Sequence, residues 1–351
     1  MEIFFAGFDQ RMIESLSIKL LRNYLARDRM RFFSLLPVRD EAEIIEQSIR
    51  HLLTWSDFIY VFDTGSVDGT WEIVCDLAQI ERRIVPLRRD PVYFNDTIVR
   101  GWIFHQARQI MRTGDWFLRV DADEFHHVPP PLFVKERLRP YETIVYHQYY
   151  NFVLLKSEVD AWNEGKESMT DRIKPIEERR RWYQPSVYSE PRMCRYRDTM
   201  HWPPSVSFPY NAGYLAAERL PIRHYAHRDP VQLERRCFLR AMMMADQDNR
   251  SNWSAPELHH WAMGEWENLI TPDDAPGLHY WLPETELPEV HQSNHLAKPA
   301  IRSLQRLAHA FLLPILDQTR TGWPDGAYPK QIPAAVARRM ETELGTNRTD
   351  A

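Results

Sequence analysis

Trp116-Phe117-Leu118-Arg119-Val120-Asp121-Ala122-Asp123-Glu124 decides how this chain is read. The run from Trp116 to Val120 has the length and β-rich composition of a buried strand, and acids follow it at once. Asp121 and Asp123 flank one small residue, so on an extended or turning backbone both carboxylates can face a single hard cation. Mg²⁺ and Mn²⁺ prefer oxygen ligands and often complete their shell with substrate phosphates, the chemistry that such a pair suits. Two solvated turn aspartates are the alternative. The strand in front of them makes that the weaker reading, because paired acids at the end of a buried strand usually have a reason to be there.

Outward from that stretch, apolar runs alternate with helical patterns. Phe32 to Leu36 reads as a strand ended by Pro37, Phe58 to Phe62 as a second, and Ile84 to Leu87 as a third. Between and after them, Ile44, Ile45, Ile49, Leu52 and Leu53 recur at helical spacing, and helices are expected over Thr70–Gln79 and about Asp96–Arg112. The alternation specifies an α/β class: a Rossmann-like, mostly parallel sheet flanked by helices. Ligands of such sheets bind beyond the carboxyl ends of the strands. There the sequence puts Arg39-Asp40-Glu41, Asp63-Thr64-Gly65-Ser66 and Asp121-Ala122-Asp123-Glu124. The expected division is an N-terminal helical segment (1–30), a sheet domain (31–245) and a mainly helical, partly irregular C-terminal extension (246–351). Residues 157–181 read as a long polar loop or lid.

In Asp63-Thr64-Gly65-Ser66-Val67-Asp68-Gly69-Thr70 the glycines permit tight turning, and Asp68 or Thr70 can cap the helix that follows. Asp63, at the strand end, is placed to accept hydrogen bonds from a base or ribose. Taken together, Leu36 to Ala42, Val61 to Thr70 and Trp116 to Glu124 resemble, in order and spacing, the family 2 glycosyltransferases of the GT-A fold. The Asp-Thr-Gly-Ser form resembles one subgroup; many members have a second aspartate where Thr64 stands, and asparagine is frequent at the place of Asp40. With a later histidine motif the resemblance spans roughly residues 31–245.

The resemblance implies a glycosyltransferase of the EC 2.4 class that uses Mn²⁺ or Mg²⁺ and a nucleotide-sugar donor. It implies that Pro37, Arg39 and Glu41 lie around the nucleoside, Asp63 near the base or ribose, and Arg100 near the diphosphate. Asp121 and Asp123 would serve the metal and Asp121 also the donor, with His224 as the late metal ligand in preference to His227. Arg228 and Arg235 are alternative phosphate contacts. Inversion by single displacement is implied as well, and with it one general base. The candidates are Glu190, Asp198 and His201; His201 is preferred, Glu190 next.

Composition bounds the partners. Of 351 residues, 44% are hydrophobic and 26% charged, as in ordinary globular proteins, and a formal charge of -5 argues against nucleic acid. The three cysteines lie far apart, without zinc or disulfide spacing. The sequence starts without a basic-then-apolar leader and has no apolar run of spanning length, so a cytoplasmic protein is expected. Membrane contact would be peripheral, at the inner face, through a basic amphipathic helix from about Gln10 to Arg29. The acceptor would be a glycan, a lipid-linked sugar or a protein. A nucleotidyltransferase on a similar fold would need a Gly-rich basic loop after the first strand, and Pro37 to Glu41 holds no glycine and one arginine. A non-catalytic sugar-binding protein would be expected to lose the metal acids. Glu177 to Arg181 reads as a solvated charge run, Trp253, Trp261, Trp266 and Trp281 as packing of a small C-terminal subdomain, and His291 and His295 as a metal-like spacing without a third ligand.

Overall fold

The computed structural model describes residues 30–204, 206–245, 265–290 and 327–346. The expected helix over residues 10–29, Trp253, Trp261, His291 and His295 lie outside them. Strands β1 (Phe32–Val38), β2 (Phe58–Asp63), β3 (Ile84–Arg89) and β4 (Trp116–Arg119) pair in parallel in the order β3-β2-β1-β4. Helices α1 (Ile45–Leu53) and α2 (Thr70–Ile80) bury Ile45, Ile49, Leu52, Val74 and Leu77 on one face of this half, and α3 (Asp96–Ala107) buries Val99, Ile103 and Phe104 on the other. Covered on both sides, β1 is buried at all seven positions, which is why its sequence is a nearly unbroken apolar run. Each such Leu, Ile or Phe contributes about 1.5–3 kcal/mol by leaving water. The α/β class with helix-flanked parallel strands is therefore the fold of this half.

Beyond β4 and the short helix α4 (Pro130–Glu136) the sheet turns antiparallel. β8 (Pro191–Arg195) lies against β4, β6 (Ile144–Phe152) against β8, β7 (Trp182–Pro185) against β6, and β10 (His279–Tyr280) against β7. β9 (Leu220–His224) runs parallel to β6 and antiparallel to β5 (Glu124–His126). Register opposes Glu124 to His224, so the chain leaving Asp123 is clamped onto the strand that carries the late histidine.

Four expectations are corrected. Pro37 does not end β1: the strand continues to Val38, with Pro37 opposite Phe62. Leu35 bonds toward β4 through its carbonyl, so Pro37, two residues on, would also point its missing N–H that way, and the β4 ladder has already stopped at Leu35. Residues 157–181 are not a structureless lid but contain α5 (Lys156–Asn163), a 3-10 turn (Met169–Ile173) and α6 (Ile176–Arg179). Nor is Glu177 to Arg181 simply a solvated run. Arg179 and Arg180 are buried against Glu167 at 3.1 Å each, and Glu177 pairs with Arg223 at 2.8 Å. Trp281 belongs to the main core, with the Arg223 guanidinium 4.6 Å above its ring, while Trp266 packs against the cluster of Leu154, Val159, Leu233 and Cys237. Later residues also lie on the sheet half: Ile332 N–H donates to Pro91 O, and Tyr93 N–H to Lys330 O.

Candidate active site

The loops after β1 and β2 are stitched to each other. Asp63 is fully buried, and its Oδ1 accepts from Gly65 N at 2.8 Å and Ser66 N at 2.6 Å, so half of the carboxylate builds the turn. Among the described residues its Oδ2 is buried without a hydrogen-bond partner. Burial pushes the Asp63 carboxyl up to about 6, against the turn hydrogen bonds that pull it down. Gly65 is required there: its φ is +104°, and a Cβ would lie 2.7 Å from Pro91 Cα. Asp40, at φ 53°, accepts from Val67 N and from Arg235 Nη2, each at 2.9 Å. Gly69 takes the N-cap position of α2, and Asp68 before it accepts from Thr70 N at 3.0 Å and Thr70 Oγ1 at 2.6 Å. Arg39 spans the same seam, donating to Thr64 O at 2.7 Å.

At the end of β4 the two aspartates part company. Asp121 Oδ1 accepts from Arg100 Nη2 at 2.6 Å, and its Oδ2 from Arg192 Nη1 at 2.9 Å. Burial alone would raise its carboxyl; Arg100 and Arg192 outweigh that and hold it below the usual range. Asp123 turns the other way. Its Oδ2 lies 3.6 Å from His224 Nε2, 3.0 Å from Arg236 Nη1 and 3.8 Å from Arg228 Nη1. Arg228, from the turn before α7 (Pro230–Ala245), is wholly buried and also pairs with Glu41 and Glu43. Burial pushes the Glu41 carboxyl up, Arg228 opposing the rise and Asp123 and Glu43 adding to it. His227 is half-buried nearby and is pushed down to about 3, by loss of water first and then by Arg236.

Whether a divalent cation suits these residues turns on His224. Its Nδ1 is 3.0 Å from Asn151 Oδ1; a donor at Nδ1 leaves the Nε2 lone pair facing Asp123. Among the described residues no three His, Cys, Asp or Glu side chains converge on one point. Asp123 and His224 nevertheless fit a Mg²⁺- or Mn²⁺-type ion that keeps most of its shell for water and phosphate oxygens. Asp121 has both oxygens on guanidiniums and is not placed as a third ligand.

Of the base candidates, Glu190 is brought to this group and the others are not. Glu190 Oε1 is 2.7 Å from Arg192 Nη2 and accepts from Tyr149 OH at 3.0 Å, so Glu190 and Asp121 share one guanidinium. His201 packs its ring on Tyr210, 5.1 Å between centroids, and Asp198 bonds through its backbone to Thr113 and Arg108. Among the described residues neither forms a hydrogen bond or ion pair with Asp121 or Asp123. Arg192, Arg119, Asp96, Arg236 and Asn151 escaped sequence reading. Only Arg119 left a trace, as a lone cation inside the apolar run of β4.

No protein-family model matches the chain, and no curated protein matches it. Among solved structures it is similar to the mannosyltransferase PcManGT from Pyrobaculum calidifontis in complex with GDP-Man and Mn²⁺, at 13% identity and a TM-score of 0.35, over 96% of this chain and 92% of that one. A likeness so distant assigns neither a ligand nor a reaction.

Proposed function

We propose that this chain is a metal-dependent glycosyltransferase that moves a sugar from a nucleotide-diphosphate donor to an acceptor hydroxyl with inversion. The observation that carries the reading is Asp123 facing His224 beside the arginine-bound Asp121 at the carboxyl end of β4. Acids alone would suit a bare cation and arginines alone an anion; their mixture suits an anion that arrives with a cation. Asp63, with one oxygen bonded to its own turn and one without a hydrogen-bond partner among the described residues, suits a base or ribose donor, with Pro37, Arg39 and Glu41 around it. Asp123 and His224 would hold the cation, which when bound supplies positive charge to the departing diphosphate.

Arg100 and Arg192 reach the same region from α3 and β8 and favour negative charge as it develops on the leaving group. Glu190 is the proposed base. As the acceptor O–H bond breaks, its proton goes to Glu190, the oxygen bonds the anomeric carbon, and the diphosphate leaves with the electron pair of the broken C–O bond. Tyr149 and Arg192 both bond Glu190 Oε1, while Oε2 has the Arg119 guanidinium at 3.7 Å and is the oxygen proposed to take that proton.

The test is nucleotide release from a panel of UDP-, GDP- and dTDP-sugars with Mn²⁺ or Mg²⁺. Metal-stimulated turnover should fall by about 10²–10⁴-fold in Glu190→Gln, the usual worth of general-base catalysis, and be lost in Asp123→Ala. Absence of metal-stimulated turnover with every donor refutes the reading.

A further inference from the structure

Six side chains at the carboxyl end of β4 form a closed ring of alternating charge: Asp96, Arg100, Asp121, Arg192, Glu190 and Arg119. Asp96 pairs with Arg100; Arg100 meets Asp121 at 2.6 Å, Asp121 meets Arg192 at 2.9 Å, and Arg192 meets Glu190 at 2.7 Å. Arg119 closes the circuit, 3.7 Å from Glu190 and 2.5 Å from Asp96. The members come from α3, β4, β8 and the residues flanking them. Alternation along β4 puts Arg119 on the face of Phe117, which packs on Phe104 of α3, so Arg119 lies beneath the N-terminal turn that carries Asp96 and Arg100.

Burial divides the ring by sign. The side chains of Arg100, Arg119 and Arg192 are 3%, 2% and 8% exposed, whereas Asp96, Asp121 and Glu190 are 29%, 30% and 21% exposed. The guanidiniums form a floor and the carboxylates a rim. An arginine placed as deep as Arg119 costs several kcal/mol to desolvate unless acids meet it, and the acids it meets are Asp96 and Glu190.

We propose that Arg119 and Asp96 are positioning residues: Arg119 holds Glu190 in place and charged from below, and Asp96 fixes Arg119 while partly offsetting its charge. This rests on Glu190 acting as the base of the proposed transferase, but its electrostatic content concerns the resting protein. The groups facing Glu190 are Arg192 from β8, Arg119 from β4, Arg100 and Asp96 from α3, Tyr146 and Tyr149 from β6, and Tyr188 beside it in the chain. Burial raises the Glu190 carboxyl, the three arginines outweigh burial, and Asp96 works against them. The two substitutions therefore have opposite signs.

In the full chain labelled with ¹³C at the glutamate carboxyls, Glu190→Gln identifies the Glu190 signal and its titration is followed without metal. Arg119→Gln should move the midpoint up by about one pH unit, Asp96→Asn should move it down, and Arg119→Lys should bring it back toward the wild-type value. Thermal unfolding checks that each variant is folded; one that is not is replaced by Arg119→Met or Asp96→Ser. Where donor turnover is measurable, the acid limb of its pH profile should follow the same displacements. Midpoints that stay put, or that move in one common direction, overturn the proposal whatever the turnover. Opposite displacements without turnover for any donor uphold the ring and remove only the transferase reading.

Discussion

Asp229→Ala tests how the late helix is fixed to the site. Asp229 has no exposed side-chain surface; its carboxylate takes Arg172 through Nε at 3.0 Å and Nη2 at 2.6 Å, and Arg179 through Nη2 at 3.1 Å. Its Oδ1 also accepts from Gln232 N at 2.9 Å, capping α7, which carries Arg235 and Arg236 to Asp40 and Asp123. Loss of the cap costs about 1 kcal/mol. Breaking a buried pair costs about 3–5 kcal/mol. The lower end applies, because Arg179 keeps Glu167 at 3.1 Å and Arg172, 16% exposed, can turn to water. The sum is about 4 kcal/mol for Asp229→Ala and about 2 kcal/mol for Asp229→Asn, which keeps an oxygen for the cap but loses the charge. Urea unfolding followed by tryptophan fluorescence at pH 7 reads both.

The pH dependence has a definite sign. Burial raises the Asp229 carboxyl, but its bonds to Arg172 and Arg179 leave it below the ordinary value. The stability it gives is therefore fully present above about pH 4, the unfolded value, and is lost as pH falls through the folded one. The gap between wild type and Asp229→Ala should close on acidification. A difference below about 1 kcal/mol at pH 7, or a gap that widens in acid, refutes this account of the helix.

Two further outcomes are expected. Gly65→Ala should lower stability by about 2 kcal/mol or more, because the new Cβ meets Pro91 backbone at 2.7 Å in a left-handed conformation; an unchanged Tm would show that the turn relaxes freely. Among the described residues nothing hydrogen-bonds the buried rings of His126 and His147, and burial holds both far below the ordinary imidazole value. Their stability contribution is full above about pH 6.5 and is lost below it at about 1.4 kcal/mol per pH unit for each. His147→Phe should remove one share of that slope between about pH 6.5 and 5, and chemical denaturation that gives parallel slopes for variant and wild type would contradict it.

The parallel half of the fold is legible because it is made of local patterns. The apolar runs of β1, β2 and β4 and the helical spacing of Ile45, Ile49 and Leu52 each lie within about ten residues. Strand order then follows from short, right-handed crossovers. The antiparallel half is less legible, since β6 pairs with strands separated from it by long excursions and its composition mixes Tyr, His and Gln with apolar residues. At the site, the acids stood out because each lies at a strand end. Two of their partners did not: Arg192 and Arg236 are ordinary surface residue types in sequence, and they become a buried and a half-buried cation only when β8 and α7 come together beside β4. In sequence His201 ranks above Glu190; in the structure Glu190 is set apart by sharing Arg192 with Asp121, 71 residues from that arginine.

The divergence of Asp121 and Asp123 bears on how a diphosphate could enter. Around the end of β4 the carboxylates of Glu41, Glu43, Asp96, Asp121, Asp123, Glu124 and Glu190 meet the guanidiniums of Arg100, Arg119, Arg192, Arg228 and Arg236. With Arg240, which also interacts with Asp123 and Glu41, seven acids face six arginines, and burial raises Glu41 and Glu124, the two whose charge the cluster tolerates least. A diphosphate brought alone would add negative charge to a place already short of cations. Brought with a divalent ion between Asp123 and His224, it would find that charge offset and the guanidiniums of Arg100 and Arg192 free to turn from Asp121 toward it. Under the proposed function, ion and nucleotide therefore favour each other's binding by the same factor, since the coupling is reciprocal. Asp121 is then less a metal ligand than the acid that keeps two arginines in readiness.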